Sequence, residues 1–378
     1  MLVLITSPAA ILNSLGQPDA DVINALKAAQ NSGNPVGVIS NHAKPAWFDA
    51  AFSGTKVSFI QTEARQRGNI IHEIAKQLKT PTFDILVIAA KAEDIQMAKN
   101  GNAVLIAAGW SRDRQVQGLG IKIDHPTQIQ EVIALTNGWK GHWWFEGGGK
   151  TYAAKALVDL SGYGKDDAQV VFAKKLTATV KNGGNRLTAL LIVTARSLLI
   201  DGVGQLDNLF WGVYPSSKSA NDDSDVLSDF THRLRTTVSR VHFARVNEPL
   251  FIRHAPSEKR SAKKGGDRTD PTGQVTTLHL NPAYSRNIRG RNIILVDDCT
   301  TYGLSFGVAA AFLLKAGAAT VTGIALGKFG NTMHYFEIEI LTDPFKPVGE
   351  KGFKVLTETS MAGKTDSTAQ QILQNLIP

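Results

Sequence analysis

Short apolar runs separated by stretches of helical spacing set the pattern of the first 137 or so residues. Leu2–Thr6 (LVLIT), Pro35–Ser40 (PVGVIS), Val57–Gln61 (VSFIQ), Ile85–Ala90 (ILVIAA) and Ala103–Ala108 (AVLIAA) are almost continuously apolar. Runs of this length suit strands buried on both faces. Between them VINALKAAQ, GNIIHEIAKQL and EDIQMAKN repeat apolar residues three and four apart, as a helix lying on a sheet does. Strands alternating with helices predict an α/β fold with a doubly wound parallel sheet.

The character changes at His142–Thr151 (HWWFEGGGKT). Its GKT ending is that of a phosphate-binding P-loop, but the motif needs Gly five residues before Gly149, where Trp144 stands. A Gly-rich interdomain turn is expected instead. Helical spacing over Ala168–Val180 and Arg186–Ile200, parted by Asn182-Gly183-Gly184, predicts a helical hairpin. A second α/β pattern then begins with FWGVYP (Phe210–Pro215), the loop SSKSANDDSD and a helix from about Val226 to Ser239. HFARV, PLFIRH, VTTLHL, IILVDD, VTGIALGKFG and YFEIEIL read as further strands, and a Gly/Lys/Ser/Thr-rich tail ends in the amphipathic AQQILQNLI. The expected division is a domain over 1–140, a helical linker over 141–205 and a second doubly wound domain over 206–378.

The chain has 378 residues, 43% hydrophobic and 20% charged, enough for two domains with their own cores. The lone Cys299 excludes an intrachain disulfide framework and a cysteine zinc site, so a cytoplasmic location is expected. No stretch reaches the ~18 apolar residues of a membrane span, and MLVLITSPAAILNSLG, which lacks a basic leader, reads as a core strand. Much of the formal charge of +8 sits in RHAPSEKRSAKKGGDR (Arg253–Arg268), where six Lys/Arg face Glu258 and Asp267. Without interleaved aromatics to stack bases, this run reads first as an anion-handling loop, then as a nucleic-acid patch, then as a solvated loop.

The candidate chemistry lies where Ile293–Val296 runs into Asp297 and Asp298 and then into a Thr/Gly/Ser turn opening an Ala-rich helix. Two acids at a strand's carboxyl end can accept hydrogen bonds from vicinal hydroxyls. The turn Cys299, Thr300, Thr301, Tyr302, Gly303, Leu304 and Ser305 offers amides and a positive helix end to a phosphate monoester.

This segment resembles the phosphoribosyl pyrophosphate (PRPP) signature of the type I phosphoribosyltransferases: four apolar residues, two acids, two variable residues, Thr-Thr-Gly, one residue, Thr. The acids fall on Asp297 and Asp298, the Thr-Thr-Gly on Thr301, Tyr302 and Gly303, and the last Thr on Ser305; Tyr302 departs from the pattern. Arg253, the basic loop, Gln274 and Arg291 resemble the competence-associated amidophosphoribosyltransferase-like branch. The resemblance implies transfer of ribose 5-phosphate from PRPP to an acceptor, usually nitrogen, with loss of pyrophosphate. It implies Mg²⁺ carried by PRPP near Asp297 and Asp298, and a pyrophosphate loop at Ser216, Ser217, Lys218 and Ser219. A closing hood over Arg253–Gln274, with Lys259, Arg260, Lys263 and Lys264 as its cations, and an acceptor near Lys328 and Phe329 complete the picture. Asp297, Asp298, Lys218 and Arg260 would be its catalytic groups.

The first domain resembles the haloacid-dehalogenase-like (HAD) superfamily through Ser40-Asn41 after a strand and the turn Ala89–Asn100 before a helix. The two aspartates of that family's first motif are replaced by Thr6 and Pro8, and its last motif keeps Asp94 with Ala90 as the other position. An inactive domain, kept for docking a protein partner or for regulation, is expected, with Ser40, Asn41 and Asp94 as strand-end and cap residues. The fusion resembles proteins of bacterial stress and tellurium-resistance clusters. A non-catalytic PRPP- or nucleotide-binding regulator is the alternative to a transferase, and a homo-oligomer is among the expected forms.

Overall fold

The computed structural model describes residues 2–238, 247–257 and 269–377. Two compact units divide them: unit 1 takes 2–141, 188–205 and 232–238, and unit 2 takes 142–187, 206–231 and the described residues beyond 246.

Unit 1 carries strands β1 (Val3–Thr6), β2 (Val36–Ser40), β3 (Ser58–Gln61), β4 (Ile85–Ala89), β5 (Val104–Ala108) and β6 (Ile121–Ile123). All are parallel, in the order β3-β2-β1-β4-β5-β6. Four of the five apolar runs form the central strands β2, β1, β4 and β5, buried at every position, whereas VSFIQ forms the edge strand β3, exposed at Ser58 and Gln61 because no strand among the described residues covers its outer side. Helices Ala20–Asn31, Asn69–Leu78, Ala92–Asn100 and Gln128–Gly138 cross between strands, and Ile71, Ile74, Ile95 and Met97 bury their apolar sides. Each such side chain contributes roughly 1.5–3 kcal/mol on leaving water. β6 escaped the sequence reading because IKI is only three residues long.

Strand order reverses between β1 and β4, the place where open α/β sheets form a crevice. Asp94, fully buried, fills it: its carboxylate accepts from Ser7 Oγ (2.8 Å), Ala90 N (3.0 Å) and Lys91 N (3.1 Å), and pairs with Arg65 at 3.1 Å. Ser40 accepts from His42 N and Asn41 accepts from Arg65 N. All three residues therefore act as turn and cap residues.

Unit 2 has β7 (Phe145–Gly148), β8 (Ala153–Ala156), β9 (Leu209–Val213), β10 (Phe251–Arg253), β11 (Leu278–Leu280), β12 (Asn292–Thr300), β13 (Thr320–Lys328), β14 (His334–Ile340), β15 (Phe353–Ser360) and β16 (Gly363–Thr365). Its main sheet runs β16-β7-β8-β13-β12-β9. β8, β13, β12 and β9 are parallel, whereas β16-β7 and β7-β8 are antiparallel, so the sheet is mixed rather than doubly wound parallel throughout. β10 pairs antiparallel with β11, and β14 with β15.

Two expectations for 141–205 change here. The Gly-rich turn is a hairpin strand paired with β8 and β16, where a Cβ on Gly147 would stand 2.8 Å from Ala362 O, and the tryptophans beside it, Trp143 and Trp144, are buried. The helical linker therefore contains two strands of the second sheet. The expected helices do form, at Asp167–Asn182 and Asn185–Ile200. HFARV and the hood cations Lys259, Arg260, Lys263 and Lys264, with the Gly265-Gly266 hinge, lie outside the described residues.

Candidate functional site

The site is built on the end of β12. Ile293–Val296 are buried between β9 and β13, where Leu295 faces Gly212 and Gly323 across the ladders, so the strand fixes where the following acids emerge. Gly303 then turns the chain into the helix Leu304–Lys315 with φ 80°, a left-handed conformation that favours glycine. A Cβ there would stand 3.0 Å from Met333 Cγ. Gly303→Val is expected to cost about 1–3 kcal/mol in a denaturant melt, since strained backbone and a tight contact add.

Asp297 is buried, and its carboxylate accepts from Ser305 Oγ (2.6 Å) and from Asp298 N (2.9 Å). Burial, and then the neighbouring Asp298 charge, push its carboxyl up to about 8. The Cys299 thiol beside them is pushed up by burial and by both acids, which makes it a poor nucleophile. The Asp297 shift has a testable sign. The folded chain holds a proton that the unfolded chain gives up near the ordinary carboxyl value of 3.8, so this group's contribution to stability is lost as pH rises from about 4 to 8. Asp297→Asn is expected to flatten that decline in denaturant melts taken at pH 5, 7 and 9.

A cleft of about 680 Å³ opens in front of the acids. It is lined by Asp297, Asp298, Cys299, Thr300, Thr301, Tyr302, Gly303, Leu304, Ser305, Ser216, Ser217 and Phe329, together with Lys181, Tyr214, Pro215, Arg253 and Gln274. The strand-end turn and four of the six residues of Tyr214–Ser219 (YPSSKS) are thus brought together. Lys218 and Ser219 do not line it, and Lys218 is exposed, a correction to their expected place in the pyrophosphate loop. That turn folds on itself, Ser219 N bonding Ser216 O, and so keeps only its first serines at the cleft. Arg260 lies outside the described residues.

Lys328 is the second correction. Although it ends β13 beside the cleft, it is 0% exposed and its Nζ points at the carbonyls of Thr301, Phe329, Gly330 and Thr332. An ammonium so enclosed cannot meet an acceptor, whereas Phe329 does line the cleft. Tyr302 lines it too, with its ring tilted against His334 at 5.0 Å between centroids.

Arg253 is the group whose isolation matters most. It ends β10, is 4% exposed, and donates to Thr277 Oγ1 (2.8 Å), Gln274 Oε1 (3.1 Å) and Pro215 O (3.2 Å). Its Nε has no hydrogen-bond partner and no acid pairs with it among the described residues. Tyr214 donates to the same Gln274 oxygen at 2.6 Å, and the guanidinium lies over the Tyr214 ring at 6.0 Å. A buried cation whose hydrogen-bond partners among the described residues are all neutral is costly unless an anion joins it. Lys181, in the last turn of the helix Asp167–Asn182, was not singled out from the sequence; its one signal is a cation just before Asn182-Gly183-Gly184.

No family model matches the chain, and no curated protein matches it. Among solved structures it is similar to a HAD family hydrolase from Streptomyces avermitilis MA-4680, with 15% identity over 30% of this chain and 73% of that one, and a TM-score of 0.23. A likeness of that size carries no argument about fold or chemistry. No helix among the described residues is long and apolar enough to cross a membrane.

Proposed function

We propose that unit 2 is a PRPP-dependent phosphoribosyltransferase that moves ribose 5-phosphate to a nitrogen acceptor and releases pyrophosphate. One observation carries this reading: a single cleft holds the Asp297–Asp298 pair, a turn at a helix N-terminus and a buried arginine without an acid partner among the described residues. The carboxylates suit the two ribose hydroxyls. The start of the helix at Leu304 and Ser305, ahead of the amides of Phe306 and Gly307 that bond Gly303 O, suits the 5-phosphate. Arg253, with Ser216 and Ser217, suits the pyrophosphate.

The residues present also fit Mg²⁺ arriving with PRPP. Such an ion keeps several waters and substrate oxygens and needs only one or two carboxylates, which Asp297 and Asp298 offer. Held there by Asp297 and Asp298, it would neutralise pyrophosphate charge. The chain's own part is electrostatic. As the bond from the anomeric carbon to the pyrophosphate oxygen lengthens, the acid pair favours the positive ring and Arg253 favours the charge growing on the leaving oxygens. Phe329 offers an apolar face to the acceptor.

Phosphorus NMR tests this reading. With Mg²⁺ and the full chain, both the 5-phosphate and the pyrophosphate resonances of PRPP are expected to broaden, and free pyrophosphate to appear only when an acceptor is added. Unbroadened lines would sink it. Arg253→Gln is expected to raise the dissociation constant of magnesium pyrophosphate about 10- to 100-fold in calorimetry, the worth of one charged hydrogen-bond donor; an unchanged constant would remove Arg253 from the site.

A second reading, a non-catalytic PRPP- or nucleotide-binding regulator, is favoured by the exposed position of Lys218 off the cleft. Absence of pyrophosphate release with every acceptor, alongside PRPP binding, would select it. For unit 1 we propose a docking or regulatory role, because Ser7, Arg65 and two backbone amides already take up the Asp94 carboxylate.

A further inference from the structure

Lys328 occupies a place where an apolar residue would be expected. It is the last residue of a strand otherwise buried from Ile324 onward, it is 0% exposed, and its Cα pairs with Thr300 across the ladder. Three N–H groups serve four carbonyl oxygens: Thr301 (3.0 Å), Phe329 (3.2 Å), Gly330 (2.5 Å) and Thr332 (2.7 Å). The first belongs to the turn after β12 that faces the proposed phosphate. The other three belong to the loop after β13, whose Phe329 faces the proposed acceptor. Two backbone bonds, Phe329 N to Thr300 O (2.9 Å) and His334 N to Tyr302 O (3.0 Å), join the same two segments on either side of the ammonium.

We propose that Lys328 is a clamp between these segments, so that a ligand seated on the turn at 301–305 stiffens the loop at 329–334 and prepares it for the acceptor. The identity of that ligand rests on the reading of the cleft as a PRPP site; the clamp itself does not. Lys328 is a positioning residue, since its own Nζ faces carbonyls and not the cleft.

Among the described residues, the charged and aromatic groups that face it are few. Asp159, from the segment after β8, attracts the ammonium, and its carboxylate is shared with Ser161 N (2.8 Å) and Lys165 (3.3 Å). The rings of Trp144 and Phe145 lie 5.9 and 5.8 Å from Nζ. Burial pulls the amine down to about 8, with Asp159 opposing. The clamp is therefore charged below pH 8, and above it the neutral amine keeps two donors for four carbonyls.

Hydrogen exchange on the full chain tests this with ribose 5-phosphate as the probe. At pH 7 the sugar phosphate is expected to slow exchange in both 301–306 and 329–334. At pH 9, after correction for intrinsic rates, or in Lys328→Met at either pH, it is expected to slow 301–306 alone. The affinity of Lys328→Met for ribose 5-phosphate is expected to fall about fivefold, a modest coupling energy. Equal protection of both segments in Lys328→Met or at pH 9 would overturn the clamp. Where Lys328→Met fails to fold, Asp297→Asn decides, since it removes the carboxyl that titrates near pH 8 beside the same turn: without any ligand, both segments are expected to exchange about fivefold faster at pH 9 than at pH 7 after the same correction. Independent behaviour of the two segments there would overturn the clamp. If ribose 5-phosphate protects neither segment, the PRPP reading fails, and the ligand-free comparison still decides for or against the clamp.

Discussion

Asp94→Ala is expected to lose about 3–5 kcal/mol of folding stability, because it removes one partner of a buried ion pair and leaves the other behind. Arg65 and Asp94 are 7% and 0% exposed in their side chains and meet at 3.1 Å. Without the carboxylate, the guanidinium, Ser7 Oγ and the amides of Ala90 and Lys91 all lose their acceptor. Each unsatisfied buried donor adds about 1–3 kcal/mol, and only partial relaxation or entry of water keeps the sum down. Asp94→Asn retains an oxygen of the same shape and is expected to lose less. Denaturant melts read by circular dichroism check both, and an Asp94→Ala midpoint equal to that of the wild type would refute the account of this cluster.

The double substitution Asp297→Asn with Asp298→Asn is expected to act in the opposite way, weakening binding while sparing the fold. Asn keeps an acceptor for each ribose hydroxyl but gives up the charge that makes those bonds strong. A loss of about 3 kcal/mol over the two, roughly a hundredfold in the dissociation constant for PRPP, is the expected size. Stability is not expected to fall with it at pH 8, because burial makes the Asp297 charge costly in the free protein. Calorimetry and melts on the same sample separate the two effects: a collapse of the melt with unchanged binding would reverse the assignment of these residues.

Where side chains are buried on both faces, the sequence already states the strand. Ile85–Ala89, Val104–Ala108 and Ile293–Val296 read as strands because each is a short, bounded apolar run, as burial on both faces of a sheet requires. β15 was missed for the converse reason. Every residue of Phe353–Ser360 is exposed or half-buried, and its pairing with β14 is a matter of backbone bonds that composition does not record. β7 and β8 hid in the same way behind glycines that suggest a turn.

The site was legible in proportion to how local it is. Asp297 to Ser305 is contiguous, so one strand, one turn and one helix bring it together. Arg253 and Gln274 reach the cleft on two different segments flanking residues 258–268, and the chain alone could only hint at them by resemblance. Lys328 misled because a lysine at the end of an apolar strand ordinarily projects to solvent. Only the three-dimensional position of four carbonyl oxygens shows that its charge is spent inside.

The most direct measurement is an isothermal titration of the full wild-type chain with PRPP in Mg²⁺ at pH 8, repeated on the double Asn variant. Saturable heat with one site per chain, reduced about a hundredfold in affinity in the variant, is the predicted result. No heat in the wild type, or identical curves for the two proteins, would contradict the claim that the cleft in front of Asp297 and Asp298 is a PRPP site.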